Sequence, residues 1–225
     1  MGHRWLAWAL ALCFAWPGAC GAEGASVRDR AVAVALEQGA DQVFLVVGTD
    51  GTAARAFLFE RAGDQWEETV SAPAWVGKKG FGKTKEGDMK TPVGTFHFTM
   101  AFGVQPDPGC PMGYTQVDGT HWWCGDSSSP LYNKFVSTRD HDGFSRKDSE
   151  HLIDYPVAYA YALDISYNEE GRPGAGSAIF LHCQTKNHFT AGCVAIPRGA
   201  MIDVLQRVRE GCPVVIDPGR TQVTF

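Results

Sequence analysis

The sequence predicts a mainly β fold with minor α content, arranged as a curved mixed sheet or β-sandwich with one helix late in the chain. Three observations carry this expectation. Short apolar runs recur from Gln42 onward, separated by turns bearing glycine and aspartate. One segment, Met201, Val204, Leu205 and Val208, repeats at i, i+3, i+4 and i+7, the spacing of an amphipathic helix. No internal repeat or linker divides the chain.

The elements follow in order. Met1 and Arg4 precede an apolar run from Trp5 to Trp16 that is too short to span a bilayer, and the small residues Gly18, Ala19, Gly21 and Ala22 come next. This is the pattern of an export signal over residues 1–22, with cleavage after Gly21 or Ala22, and it predicts an exported, periplasmic protein. Residues 23–41 form an N-terminal segment, with a short helix expected from Ser26 to Gln38. The main domain is expected over 42–218. Val43 to Val47, Ala54 to Glu60 and Trp66 to Ser71 read as consecutive antiparallel strands, joined by turns at Asp50, Gly51 and at Gly63, Asp64. The lysine- and glycine-rich stretch 77–88 lacks the spacing of a phosphate loop and reads as a mobile loop ahead of a turn at Thr91, Pro92, Val93 and Gly94. A strand from Thr95 to Thr99 follows that turn.

Residues 103–154 are a long polar and aromatic insertion. A segment of this length without structure of its own is unusual unless functional, so it is expected to be a lid or cleft wall. Trp123, Tyr132, Glu150 and His151 are its candidates for contact with substrate. Trp122 and Trp123 are expected to pack as the insertion's own small core more readily than on a ligand. A strand is then expected from Val157 to Asn168, a glycine-rich hairpin loop from Asn168 to Gly176, and a strand from Ser177 ending at His182 and Cys183. After the helix, closed by Gly211, Pro213 to Asp217 supplies a last strand.

The net charge of −5 argues against nucleic acid or an anionic membrane as partner. No stretch after the leader is long and apolar enough for membrane insertion. Beyond the leader the cysteines are Cys110, Cys124, Cys183, Cys193 and Cys212, an odd set that suits one free thiol in an oxidising compartment. A disulfide between Cys110 and Cys124 is expected, with Cys183 and Cys212 as a weaker second pair.

The chemistry concentrates where Ile179, Phe180, Leu181, His182 and Cys183 are followed by Thr190, Ala191, Gly192 and Cys193. A thiol becomes a useful nucleophile at neutral pH when an imidazole takes its proton, so Cys193 is the expected nucleophile and His182 its base. Gly192 permits a sharp turn, and the amides of Gly192 and Cys193 are expected to face a developing oxyanion. Thr190 is expected to support the turn, and the carbonyl of Cys183 to orient the imidazole. Two alternatives stand beside this reading. Cys193, next to Val194 and Ile196, has the surroundings of an inert core cysteine. His182, Cys183, His188 and Cys193 have the order of a partial zinc site, although a strand points His182 and Cys183 to opposite faces.

The run Thr190, Gly192, Cys193, the upstream His182, and the segment Lys90, Thr91, Pro92, Val93, Gly94, Thr95, Phe96 together resemble the L,D-transpeptidase (YkuD-type) catalytic domain of bacterial cell-wall enzymes. The likeness runs from about Gln42 to Asp217. It implies a YkuD-like sheet, a cysteine acyltransferase, a thioester on Cys193, a peptidoglycan stem peptide as substrate and association with the cell wall. No metal or organic cofactor is implied. Ala191 stands where the family usually has a histidine and Ala195 where it usually has Asn or Arg, and the span from His182 to Cys193 is shorter than usual. These departures imply a reshaped pocket. The opposed reading is a noncatalytic wall-binding or zinc-binding module.

Overall fold

The computed structural model describes residues 26–219. The expected export signal and cleavage point lie outside the described residues.

The chain enters through α1 (Val27–Glu37), whose start is fixed by a capping box: Asp29 N–H donates to Ser26 Oγ and Ser26 N–H donates back to the Asp29 carboxylate. Its Ala31 and Ala35, small enough for close approach, bury against Val43, Leu45 and Phe59, whereas Leu36 is exposed. β1 (Gln42–Asp50) therefore has both faces covered. Val43 and Leu45 lie under α1, and Phe44 and Val46 point into the main core. This explains its unbroken apolar run.

β2 (Ala53–Ala62) and β3 (Gln65–Trp75) continue antiparallel from β1, as the turn residues predict. β4 (Gly94–Gly103), β5 (Tyr114–Gln116), β9 (Ala162–Ile165), β10 (Phe180–Cys183), β11 (Val194–Ile196) and β12 (Pro213–Asp217) complete a nine-stranded mixed sheet ordered β12-β1-β2-β3-β11-β10-β9-β4-β5. β12 runs parallel to β1 with Phe44 opposite Val214, and antiparallel to β4 with Val214 opposite Phe96. That second pairing curls the sheet back on itself into a barrel-like body. Phe44, Phe98, Leu58, Leu163, Leu181 and Ile196 fill its interior.

α2 (Arg198–Leu205) buries Met201, Val204 and Leu205 in the same core. The helix is shorter than its apolar spacing predicts, because Val208 reaches the core from the turn that follows. The strand expected from Val157 is reduced to β9, since Ala158–Ala160 forms a 3-10 turn that sets Tyr159 among Phe102 and Phe180.

The insertion is structured. β6 (His121–Trp123), β7 (Phe135–Ser137) and β8 (Glu150–His151) make a separate sheet ordered β7-β6-β8 over a small core of Cys124, Val136 and Phe144. Trp122 packs on that core, but Trp123 leaves it to join Phe102, Tyr159 and Phe180 of the barrel. Contrary to expectation, Cys110 and Cys124 form no disulfide, because they are buried in different clusters; Cys183 and Cys212 are also free thiols. Cys183 Sγ instead donates to Tyr161 O, and Cys212 Sγ to Pro213 O. The 77–88 stretch is tethered rather than loose: Lys79 N–H donates to Met89 O, Glu86 N–H to Gly174 O, and Lys83 is buried. Among the described residues no helix is long and apolar enough to cross a membrane.

Candidate active site

β10 and β11 run side by side and parallel, with Leu181 opposite Val194 and His182 opposite Ala195. Strand alternation then sorts the side chains. Leu181 and Cys183 point into the barrel core, while Phe180, His182, Cys193 and Ala195 share the outer face. His182 and Cys193 are diagonal neighbours there, roughly 8 Å apart between Cα atoms for ordinary strand spacing and rise. Ala195 is the residue beside His182, and its small side chain leaves the imidazole room. Both His182 and Cys193 line one cleft of about 420 Å³ between this face, the insertion and the 77–91 loop.

The imidazole is oriented by its own strand. His182 Nδ1–H donates to Cys183 O at 2.9 Å, which leaves Nε2 as the lone-pair nitrogen and the one available to a proton in the cleft. The Tyr159 ring and the imidazole meet edge-to-face with centroids 5.7 Å apart, and burial holds the His182 pKa below its ordinary value. The Cys193 sulfur accepts from Phe180 N–H at 3.4 Å and its thiol donates to Ala178 O at 3.2 Å. The thiol thus rests on a carbonyl rather than on the imidazole. Burial pushes it up to about 12; the Phe180 amide opposes this, the Glu150 carboxylate adds to it, and the Lys83 ammonium opposes it. Both partners are therefore neutral at rest.

The turn before Cys193 is held by two threonine hydroxyls. Thr190 Oγ1 accepts from Gly192 N–H at 3.0 Å and donates to Cys193 O at 2.7 Å. Thr91 Oγ1 accepts from Gly77 N–H at 2.8 Å and donates to Gly192 O at 2.8 Å. Gly192 has φ +155°, and a Cβ there would lie 2.9 Å from Lys90 O, so no other residue fits. Its N–H is committed to Thr190, which corrects the expectation that both amides face an oxyanion. The Cys193 amide is the one of the two not bound to the turn.

The predicted residues divide by position. Glu150 lines the cleft, with Oε2 accepting from Tyr159 O–H at 2.5 Å and its carboxyl raised by burial. Tyr132 lies behind the cleft: it is fully buried, and its hydroxyl donates to Glu86 Oε2, which also accepts from Ser177. Trp123 is buried beneath Phe180 with Nε1–H donating to Asn133 Oδ1, so it packs under the site instead of facing it. His151 stacks on Trp122 at 4.3 Å and bonds to Asp154 and Gly119 O, away from the cleft. The zinc arrangement is not assembled, since Cys183 faces the core and His188 stacks on Trp75. Sequence reasoning missed Lys83, Glu86, Thr91 and Tyr159. Thr91 stood in a motif already singled out, while the others reach the cleft through distant chain segments.

The family model for the L,D-transpeptidase catalytic domain matches residues 49–216. Among solved structures, Bd1075 of Bdellovibrio bacteriovorus is 18% identical with a TM-score of 0.41, covering 78% of this chain and 47% of that one. The helical cell shape determining protein Pgp2 of Campylobacter jejuni is 16% identical with a TM-score of 0.42, covering 80% and 49%. L,D-transpeptidase 1 of Mycobacterium tuberculosis is 14% identical with a TM-score of 0.34, covering 78% and 62%. The chain spans about half the length of the first two. No curated protein matches the sequence.

Proposed function

The chain belongs to the L,D-transpeptidase (YkuD-type) catalytic-domain family, and from that premise we propose that it is an exported cysteine acyltransferase acting on peptidoglycan stem peptides. The observation that carries this reading is the placement of Cys193 and His182 on one strand face, opening into one cleft, with Nε2 of the imidazole free to receive a proton.

In the proposed reaction the thiol turns from Ala178 O and gives its proton to His182 Nε2. The sulfur attacks an amide carbonyl carbon of the stem peptide, by resemblance the one at the L-centre of the diamino acid in a tetrapeptide. A C–S bond forms, and the oxyanion takes a hydrogen bond from Cys193 N–H; one such donor is worth about 3 kcal/mol or more. The C–N bond then breaks as His182 returns the proton to the leaving amine. An incoming amine, by transpeptidation, or water, by hydrolysis, then attacks the thioester; His182 takes its proton and passes it to the sulfur as the C–S bond breaks, restoring the neutral pair. The neutral resting pair suits this sequence, because the base must start without a proton. None of these steps requires a metal or organic cofactor.

Intact-mass spectrometry after incubation with a carbapenem is expected to show one covalent adduct on the wild type and none on Cys193→Ala; an adduct that persists in the variant would refute Cys193 as nucleophile. Muropeptide profiles of sacculi treated with the protein are expected to show new cross-links or shortened stems. Sacculus binding that survives Cys193→Ala, with unchanged muropeptides for both proteins, would instead mark a noncatalytic wall-binding module.

A further inference from the structure

Lys83 is a buried cation beside the turn that carries Cys193. Its side chain is 2% exposed and that of Asp88 8%. Nζ donates to Asp88 Oδ1 at 3.1 Å and to Lys85 O at 3.2 Å, two of the three bonds an ammonium can make. Asp88 is held in turn by the amides of Thr84, Lys85 and Lys90. Burial alone would raise its carboxyl, but these donors and Lys83 bring it down to about 2.

The backbone makes room for this lysine at Gly176 and brings it into van der Waals range of Gly192. A Cβ at Gly176 would lie 2.5 Å from Lys83 Cε, and one at Gly192 would lie 3.7 Å from Nζ. Lys83 lines the cleft together with Cys193 and His182, whereas Asp88 is set back behind it. The ion pair is therefore a fixed dipole with its positive end toward the nucleophile. Burying an ammonium is costly unless it is well paired, and fastening the loop does not require the charge to reach the cleft wall. The other titratable groups around Cys193 are His182 on β10, Asp164 on β9, Glu150 on β8, Tyr155 ahead of the 3-10 turn, Tyr159 on that turn, and Glu86 on the same loop as Lys83. Three of the six are carboxylic acids, and Lys83 is the one Lys or Arg among the residues lining the cleft.

We propose that Lys83 is a positioning residue for acyl transfer: its ammonium, held near Gly192, stabilises negative charge as it forms on the Cys193 sulfur, and Asp88 sets its strength. This rests on Cys193 being the nucleophile. Within a low-dielectric cleft a preoriented charge acts far more strongly than it does in water.

The test is iodoacetamide alkylation of Cys193 in the full chain, followed by peptide mapping across about pH 6 to 10, where the thiolate is the reacting species. Lys83→Met is expected to slow alkylation throughout this range by about tenfold, the equivalent of raising the thiol by one pKa unit. Asp88→Asn, which keeps an acceptor for the loop amides but removes the countercharge, is expected to shift the rate the other way and speed alkylation. Lys83→Arg should stay near the wild type. Shifts of the same sign in Lys83→Met and Asp88→Asn, or no shift in either, overturn the inference and leave a loop fastener. If Lys83→Met does not fold, acceleration in Asp88→Asn supports the inference and its absence overturns it. Carbapenem acylation of the wild type with uncrossed shifts defeats this inference alone; crossed shifts without acylation defeat the proposed function alone.

Discussion

At the scale of single residues, Thr190 shows how closely the nucleophile's turn is specified. One hydroxyl accepts from Gly192 N–H and donates to Cys193 O; its loss strands the buried Gly192 donor, while Cys193 O keeps the Thr91 hydroxyl at 3.2 Å. Thr190→Val keeps the shape and removes both bonds, and it is expected to cost about 1–3 kcal/mol of stability. It should also lower the rate of carbapenem acylation, while Thr190→Ser restores both quantities. Urea denaturation and stopped-flow acylation measure the two effects, and a Thr190→Val protein matching the wild type in both would leave the hydroxyl without a role. The residues legible in the sequence were those that share a short stretch: His182 ends an apolar strand, and Cys193 follows a small-residue turn. Lys83, Glu86 and Tyr159 were not legible, because a lysine in a glycine-rich loop or a tyrosine beside alanines carries no local sign of where the chain will fold back.

At the scale of elements, the strand runs and turn residues identified β1 to β3 well, because each strand is bounded by glycine or aspartate turns and covered on at least one face. Pairing was another matter. Nothing local says that β12 returns to lie between β1 and β4, since that closure depends on Phe44, Val214 and Phe96 meeting across distant parts of the chain. The disulfide expectation failed for a related reason. Nearness in sequence suggested that Cys110 and Cys124 pair, but one packs in the barrel core and the other in the insertion. The insertion also proved to be a wall with its own sheet, and Trp123 on β6 joins it to the barrel by packing on Phe180 at 4.7 Å, next to the Cys193 face. Trp123→Ala is therefore expected to cost about 3–5 kcal/mol, in the range of large aromatic truncations in cores. It should also lower acylation, because Phe180 N–H contacts the Cys193 sulfur. A detachable lid would predict otherwise: a change well under 1 kcal/mol in the unfolding free energy from urea denaturation would show that the insertion folds independently of the site.

At the scale of the whole molecule, buried carboxyls make stability depend on pH in opposite directions. Asp164 on β9 accepts from the Thr99 hydroxyl, and burial raises it from 3.8 to about 7, with the Thr99 bond opposing, Glu169 adding and Lys134 opposing. The fold thus accommodates its protonated form. Its contribution is complete below about pH 4, where the unfolded chain is protonated too, and is lost as pH rises towards 7, on the order of 4 kcal/mol in all. Glu150, also raised by burial, acts in the same direction. Asp88 has the opposite sign, because its carboxyl lies at about 2: its contribution is present above the ordinary aspartate value and is lost in stronger acid. Urea midpoints should therefore rise as pH falls from about 8 towards 5, where Asp164 regains its proton, before acid protonation of Asp88 reverses the trend. Asp164→Asn keeps a neutral group against Thr99 and should flatten the slope between those limits without lowering the midpoint at pH 5. If the variant and the wild type keep the same slope, the carboxyl at 164 titrates as an exposed one does, and the burial that defines this side of the barrel is not maintained in solution.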